Sequence, residues 1–535
     1  MHTTHGPEIR PAVAESLGCH VPGAKLPHVN PSDGKTTLAG ALKRFCTKPP
    51  DPDMRLFNDL LNFTRTLVQE KFCPLPADSD VSVEHWLATN TTYTLARKEA
   101  LLAKHREINT TNDPKIFEAK CFVKDEEYPE YKHARCINSR TDQFKTLVGP
   151  IFHLIEKELF KRPEFIKYIP VPDRPEYLMD RLYSVGAKYV ETDYKACEAH
   201  FDDLRFEIEF IFYEYMTKAV DGGAAFMKLI NKALRGRNKC IFKEFTLWVD
   251  ACRLSGEMNT SLGNGFVNWV LAEFTAFVNK AEGFAVVCEG DDGAIRSDPL
   301  PTANDYKAVG FSIEAEPQTK ISGMKFCGLI YDDDDRVNVT DPVTEILSFG
   351  WTNQRYVGAA HRTKMALLRA KSISMLYQYS GCPVLRSLAL YGLRVTSGFC
   401  VDRIAKLMSV YERERFYEAY DHVRRHKFES LITKQIGVKT RMLVEERFGL
   451  RLDDQLIIEK HLDSMNEIKP IDIPVLSLYF KSDQTHYYAN YVAEFQQDSF
   501  DESFKRTPPF SFPLLVGGPD EFRIVNKQVL RCIPD

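Results

Sequence analysis

Two adjacent carboxylates interrupt an apolar stretch: Gly290, Asp291 and Asp292 lie between FAVVCE (284–289) and GAIRS (293–297). Glycine supplies the positive φ of a tight hairpin, so the three residues read as a turn between two strands. Neighbouring carboxylates at a hairpin tip repel each other and gain nothing from packing. A divalent cation would relieve that repulsion, and all-oxygen ligands suit Mg²⁺. A third acid, Asp193, ends the strand-like run KYVETDY (188–194). If it meets the hairpin tip in space, three carboxylates could hold two Mg²⁺ ions about 3.5–4 Å apart. That arrangement serves in-line phosphoryl displacement, activating an attacking hydroxyl and stabilising a leaving pyrophosphate. Taken singly, the turn also suits a solvated hairpin, and Asp193 a polar strand end.

Two further stretches carry groups suited to a nucleotide. In LSGEMNTSLGNGFVN (254–268), Ser255-Gly256 reads as a flexible loop before a helix over 260–281, with Thr260 or Ser261 as its cap. Thr260, Asn264 and Asn268 fall at i, i+4 and i+8 and share one face, opposite Leu262, Phe266 and Trp269. Short hydrogen-bonding side chains suit a ribose hydroxyl or a template backbone; a wet helix face has the same pattern. In AKCFVKDEEYPEYKHARCINSR (119–140), Lys120, Lys124, Lys132, Arg135 and Arg140 alternate with acids. Arginine forks and lysine point charges suit a triphosphate, and a solvated charged hairpin is the alternative.

The elements that must position these groups are partly legible. Residues 1–50, rich in Pro, Gly, Thr and His, predict an irregular arm. Helical spacing begins after Pro52 (Met54, Phe57, Leu60, Leu61, Leu67, Val68) and resumes over 83–108. Residues 117–150 predict paired strands around a mobile loop. A helix over 203–220 should turn Leu204, Ile208, Ile211 and Tyr215 inward, and FTLWVDACRL (245–254) alternates as a strand. From Trp351 to Leu462 the pattern is mainly helical, and 463–535 resists assignment.

Composition narrows the class. At 44% hydrophobic over 535 residues the chain can bury large cores, which excludes a disordered protein. A net charge of −4, from 70 basic against 74 acidic residues, leaves no global basic excess, so a polyanion site must be a local basic channel. No apolar run of membrane-spanning length occurs, and residues 1–10 lack a secretory pattern. Thirteen scattered cysteines, odd in number and never spaced CxxC, predict reduced core thiols of an intracellular protein.

The pieces occur once each in a telling order: basic segment, strand-end Asp, SG loop with a T-x3-N helix, GDD hairpin. FVKDEEYPEYKHARCINSR, ETDYKACEAHF, SGEMNTSLGNGFVN and CEGDDGAI resemble motifs F, A, B and C of the RNA-dependent RNA polymerases of positive-strand RNA viruses. The tombusvirus-like and nodavirus-like enzymes are more similar than the flaviviral ones. YKAVGFSIEAEPQTK (306–320) and MKFCGLIY (324–331) are similar to motifs D and E, and TRMLVEERFGLRLDDQLIIEKHL (440–462) to a thumb segment.

The resemblance implies an α+β right-handed polymerase with an antiparallel palm sheet and closed fingertips. Residues 1–50 would bridge fingers and thumb. Fingers would span 51–186, with an insertion at 203–244; the palm would take 187–202 and 245–345; a mainly helical thumb and tail would fill 346–535. The implied activity is template-directed RNA synthesis, transferring nucleotides from NTPs to an RNA 3′-hydroxyl to copy a viral genome. Asp193 and Asp291 would ligate both Mg²⁺ ions, Mn²⁺ also serving, with Asp292 an outer ligand. Lys124, Lys132, Arg135 and Arg140 would hold the triphosphate, and Lys320 would protonate the leaving pyrophosphate. Ser255, Thr260 and Asn264 would face the nucleotide. Five residues after Asp193 the family usually has an Asp that checks the ribose 2′-hydroxyl; here it is Glu198, one methylene longer, with altered reach to Asn264 and Ser255. Implied partners are template and product RNA, NTPs and other viral replication proteins. The implied location is the host cytoplasm, in a replication complex whose membrane contact comes through a partner or a surface patch. A reverse transcriptase and an RNA-binding scaffold without turnover are the competing classes. The former normally carries an aromatic residue two places before the Asp pair, and the latter would be expected to have lost an acid.

Overall fold

The strand that carries Asp193 and the hairpin that carries Asp291 and Asp292 are neighbours in one sheet. The computed structural model describes residues 14–90, 93–194, 196–402, 404–408, 410–433, 435–485, 520–525 and 528–532. Residues 1–10, read above for a secretory pattern, and most of the C-terminal stretch beyond 485 lie outside them. The described residues form an α+β structure, about half helical, with several small sheets.

In chain order the strands are β1 (Ala119–Val123), β2 (Cys136–Arg140), β3 (Tyr189–Tyr194), β4 (Arg237–Ile241), β5 (Phe245–Asp250), β6 (Glu282–Glu289), β7 (Asp292–Asp298), β8 (Ile313–Glu314), β9 (Pro317–Gln318), β10 (Ile330–Tyr331), β11 (Asn338–Val339), β12 (Asp520–Val525) and β13 (Gln528–Cys532). The helices of the first half are α1 (Gly34–Cys46), α2 (Met54–Lys71), α3 (Val83–Thr89), α4 (Leu95–Arg106), α5 (Asp142–Phe160), α6 (Arg174–Leu182), α7 (Cys197–His200), α8 (Asp203–Thr217), α9 (Gly223–Ile230) and α10 (Thr260–Val278). Beyond them come α11 (Ala303–Ala308), α12 (Pro342–Phe349), α13 (His361–Tyr379), α14 (Leu385–Val395), α15 (Ile404–Leu407), α16 (Val410–His426), α17 (Val438–Phe448) and α18 (Leu452–Ser464).

The acidic hairpin belongs to an antiparallel sheet of order β6-β7-β3-β8, with β9 also on β3. Its inner face, with Val190, Val286 and Ile295, packs in one cluster with apolar residues of α2, α5, α8 and α10. A second, mixed sheet runs β13-β12-β5-β4-β1-β2. In β1, Ala119, Cys121 and Val123 are buried while Lys120 and Phe122 are exposed, the alternation of a strand covered on one face. Its cover includes Leu38, Ala41, Leu42 and Phe45 of α1.

Several expectations need correction. The arm is not irregular throughout: Asp33 caps α1 by accepting from the Lys35 amide, and Gly40 allows that helix to press on the Ala134 carbonyl, where a Cβ would collide. Glycines and threonines had masked its apolar spacing. Residues 83–108 form two helices, α3 ending at Asn90 and α4 newly capped by the Thr94 hydroxyl. In α8 only Ile208 of the four expected inward residues is fully buried, whereas Phe206, Phe210, Phe212, Tyr213 and Met216 are. This helix is packed on several sides, so no single stripe identifies its inner face. Neither Thr260 nor Ser261 caps α10; Asn259 takes that position, and the Thr260 hydroxyl donates to the Leu254 carbonyl.

The segment 17–26 shares a cluster with α12–α18, while Val29 and α1 join the cluster on the six-stranded sheet. His28 fixes the step between them, its Nε2 lying 2.8 Å from Asp125 Oδ1. Twelve of the thirteen cysteines are described as free thiols, nine of them buried. No helix among the described residues is long and apolar enough to cross a membrane.

Among the described residues two ion pairs are fully enclosed, Arg253 with Glu209 and Arg140 with Glu257. Removing one partner of such a pair leaves a buried charge uncompensated, whereas removing both does not. Arg253→Met should therefore lower unfolding stability by about 3–5 kcal/mol in a urea titration, and Arg253→Met/Glu209→Leu should recover most of the loss. Equal losses in the two variants would contradict this account.

Candidate active site

The ladder between β3 and β7 pairs Glu191 with Ala294 and Thr192 with Gly293. One more step of that register sets Asp193 opposite Asp292, and directly opposed strand residues have Cβ atoms about 4.5–5.5 Å apart. Thr192 and Tyr194 point into the core, while Asp193 is exposed on the other face. Asp291 occupies the turn itself, after Gly290 at φ 59°. Three acids from two distant parts of the sequence are thus brought to one sheet end.

Their crowding shows in their proton affinities. Burial pushes the Asp292 carboxyl up to about 7, with repulsion from Asp291, Asp193, Glu289 and Glu191 adding to it. Asp291 is solvent-accessible at the tip, yet the protein around the turn still desolvates it. Together with the charges of Glu198 and Asp193, this raises its carboxyl above the usual range. No three candidate ligands among the described residues converge tightly enough to hold a cation in this conformation. The donor set nevertheless fits a hard divalent ion: all-oxygen, adjacent and mutually repelling.

Asn268 brackets this corner. It is 1% exposed, its Nδ2 donates to the Gly290 carbonyl at 3.3 Å, and its Oδ1 accepts from the Tyr194 hydroxyl at 3.2 Å. Gly293 permits the approach, since a Cβ there would lie 3.1 Å from Asn268 Nδ2 and nearer still to Thr192 Oγ1. The polar stripe of α10 is therefore buried structure at this position, not a wet face. Its spacing with Thr260 and Asn264 was the signal in the sequence; the bracket itself was not foreseen. Asn264 is also buried, 6% exposed, and its Oδ1 has no hydrogen-bond partner among the described residues.

The SG loop docks on β2. The Ser255 carbonyl accepts from the Asn138 amide at 2.6 Å. Gly256 sits at φ 101°, with the position of a Cβ only 3.1 Å from Ile137. Both facts require glycine at this point.

The basic residues divide. Lys124 and Arg135 converge on Glu126, at 3.0 Å and through a two-pronged contact at 2.6 Å. Despite burial, these cations hold the Glu126 carboxyl down at about 2. Lys132 lies over the Tyr128 ring, 4.5 Å from its centre. Burial lowers its ammonium, as do the nearby charges of Arg135, Arg44 and Lys325. Arg140, expected at a triphosphate, is instead an interior strut. Its guanidinium donates to Glu257, Asn238 and the carbonyls of Phe117 and Ala233. Alternation along β2 turns residues 136, 138 and 140 inward together, which charge counting could not reveal. Lys320 is exposed and its charge acts on Asp333; no hydrogen bond or ion pair among the described residues joins it to Asp193, Asp291 or Asp292.

Glu198 rides on α7, which follows Ala196 in the left-handed region at φ 54°. It accepts a hydrogen bond from Arg44 of α1 at 2.7 Å. Arg44 also acts on Asp291. Arg44 and Lys325 went unnoticed in the sequence because each stands outside the charged segment. A cationic group thus lies within electrostatic reach of the acids. A separate cavity of about 670 Å³, lined by Phe117, Lys232, Arg235, Arg237 and Trp248, contains none of those acids.

The site is therefore an acidic hairpin beside a third strand-borne acid, with the Arg44 guanidinium within electrostatic reach. The chain is distantly similar to the RNA-directed RNA polymerases of tombusvirid viruses. It is 23% identical over 356 residues to that of Panicum mosaic virus, covering 62% of this chain and 34% of the relative. It is 25% identical over 150 residues to that of Melon necrotic spot virus, covering 26% and 18% respectively. The chain thus matches about a third or less of the length of these curated relatives. No protein-family model matches it.

A carboxyl raised on folding contributes its stability in full below its unfolded value near 3.8, and that contribution is lost as pH rises through about 7. In EDTA at pH 8, Asp292→Asn should therefore melt higher than the parent protein, with the gap closing toward pH 4. A gap that is constant with pH, or reversed at pH 8, would show that Asp292 is not held in a repulsive field.

Proposed function

We propose that this chain is a template-directed RNA polymerase, transferring nucleotides from NTPs to an RNA 3′-hydroxyl with release of pyrophosphate, in the replication of a viral RNA. The observation that carries the reading is the approach of Asp193 to the Asp291-Asp292 hairpin on paired strands. The distant similarity to viral RNA polymerases supports it.

In this reading Asp193, Asp291 and Asp292 hold Mg²⁺ or Mn²⁺. Held there, the metal would supply the charge that lowers the pKa of the attacking hydroxyl and offsets that of the departing pyrophosphate. Lys124, Lys132 and Arg135 draw in and orient the triphosphate. Arg135 is engaged with Glu126 in this conformation, so it reaches phosphate by exchanging one anion for another. Asn264 offers the ribose a buried amide oxygen that has no partner among the described residues, and Glu198 offers a carboxylate. Ser255 and Thr260 act by shaping the loop that joins β5 to α10 and docks on β2. Arg140 becomes a support for that loop, and Lys320 stays the proton donor proposed for the leaving pyrophosphate.

The architecture we assign is a right hand. Residues 51–186 and 203–244 form fingers, the palm includes 187–202, and a helical thumb follows 346. Because β5 pairs with β4 in the sheet of β1 and β2, residues 245–250 go with the fingers and the second palm segment starts after them. The arm at 14–46, which packs on both ends, is the bridge. Template RNA would be held mainly through its phosphates, with weak sequence preference. Membrane contact would come through a partner or a surface patch.

Purified protein with an RNA template, NTPs and Mg²⁺ or Mn²⁺ should make template-complementary RNA. Asp291→Ala and Asp193→Ala should each lower incorporation by about 10³-fold or more, on the order of 4 kcal/mol in barrier, while RNA binding persists. Preferential use of dNTPs would make the chain a reverse transcriptase. Folded protein that binds RNA but incorporates nothing, across templates and metals, would make it a scaffold.

A further inference from the structure

Glu198 poses a physical problem that its pairing with Arg44 answers. A glutamate has one more rotatable bond than the aspartate usual at this place in the resembling family. An unrestrained carboxylate loses more entropy on meeting a ribose hydroxyl and recognises it less sharply. Here the carboxylate is not unrestrained. Arg44 Nη1 donates to Glu198 Oε2 at 2.7 Å, with the two side chains 25% and 16% exposed. The other oxygen, Oε1, has no hydrogen-bond donor among the described residues.

Both partners stand on supported backbone. Arg44 belongs to the last turn of α1, where the helix dipole favours a cation. That helix is pinned at Gly40 against Ala134 and through Leu38, Ala41, Leu42 and Phe45 against the six-stranded sheet. Glu198 lies in α7, a single helical turn whose entry is set by the left-handed Ala196. Both charges act on Asp291, which places the pair beside the acidic hairpin.

We propose that Arg44 is a positioning residue for sugar selection: the N-terminal helix clamps one oxygen of Glu198 and so presents the other to the 2′-hydroxyl of the incoming nucleotide. This rests on the polymerase reading above. It also gives the N-terminal arm a role in substrate choice beyond joining two parts of the molecule. A pair that merely tethers the arm would alter stability and leave sugar preference untouched.

The test is a double-mutant cycle on sugar discrimination. The ATP-to-dATP preference is read twice, in equilibrium binding and in single-nucleotide incorporation, for the parent protein, Arg44→Gln, Glu198→Ala and the double variant. Arg44→Gln should lower the preference about tenfold, and the double variant should be no worse than Glu198→Ala, because Arg44 acts through Glu198. Arg44→Lys, which keeps the charge and most of the packing, guards against misfolding and should restore part of the preference. An unchanged preference in a folded, active Arg44→Gln protein would overturn the clamp and leave the polymerase reading standing. Effects of Arg44→Gln and Glu198→Ala that multiply would overturn it equally. A parent protein that neither binds nor incorporates nucleotides would remove the reading and the clamp together.

Discussion

Like-charge repulsion at the end of one small sheet is the constraint around which this molecule is arranged. Three carboxylates, with Glu191 and Glu289 close by, stand where the pairing of β3 with β7 forces them together. No side-chain packing rewards that proximity. It persists because the strands beneath are held by ladder hydrogen bonds and by a core shared with the surrounding helices. The backbone is therefore kept in place against the electrostatic preference of its own side chains, as expected where a counter-charge arrives from outside the protein.

Buried polar groups, more than apolar contacts, set the fine geometry around the acids. Asn268 ties the core side of β3 to the hairpin turn, and its approach depends on Gly293 lacking a side chain. Arg140 gathers Glu257, Asn238 and two carbonyls beneath the SG loop. Arg253 and Glu209 meet beside Gly263, where a Cβ would collide with both. Each such group is strongly directional and expensive to leave unpaired, so it selects one backbone arrangement where apolar packing would tolerate several.

The cations are arranged on the same principle but left adjustable. Arg135 and Lys124 share Glu126, and Arg44 holds Glu198. The Glu126 pairs are part-exposed, so their anion can be exchanged for another at modest energetic difference, whereas Arg44 stays on Glu198. Arg140 and Arg253, sealed in the interior, have no such freedom. Burial thus separates basic residues sealed inside the protein from those that still reach solvent.

The local pattern of the chain determined a great deal. Apolar runs on either side of Gly290-Asp291-Asp292 specified β6 and β7, the 260–281 periodicity specified α10, and KYVETDY specified β3, because hydrogen-bonded elements follow short-range periodicity. Even the order of the motifs foretold the distant kinship with viral RNA polymerases. Other matters belonged to the tertiary structure alone. That Arg140 faces inward, that Asn268 is a bracket, that residues 34–46 form a helix and that this helix sends Arg44 to Glu198, 154 residues away, are facts about which surfaces meet. Charge and spacing along a chain say what a side chain is able to bind. Which partner it finds, or whether it finds one at all, is decided by contacts between segments that have no local imprint in the sequence.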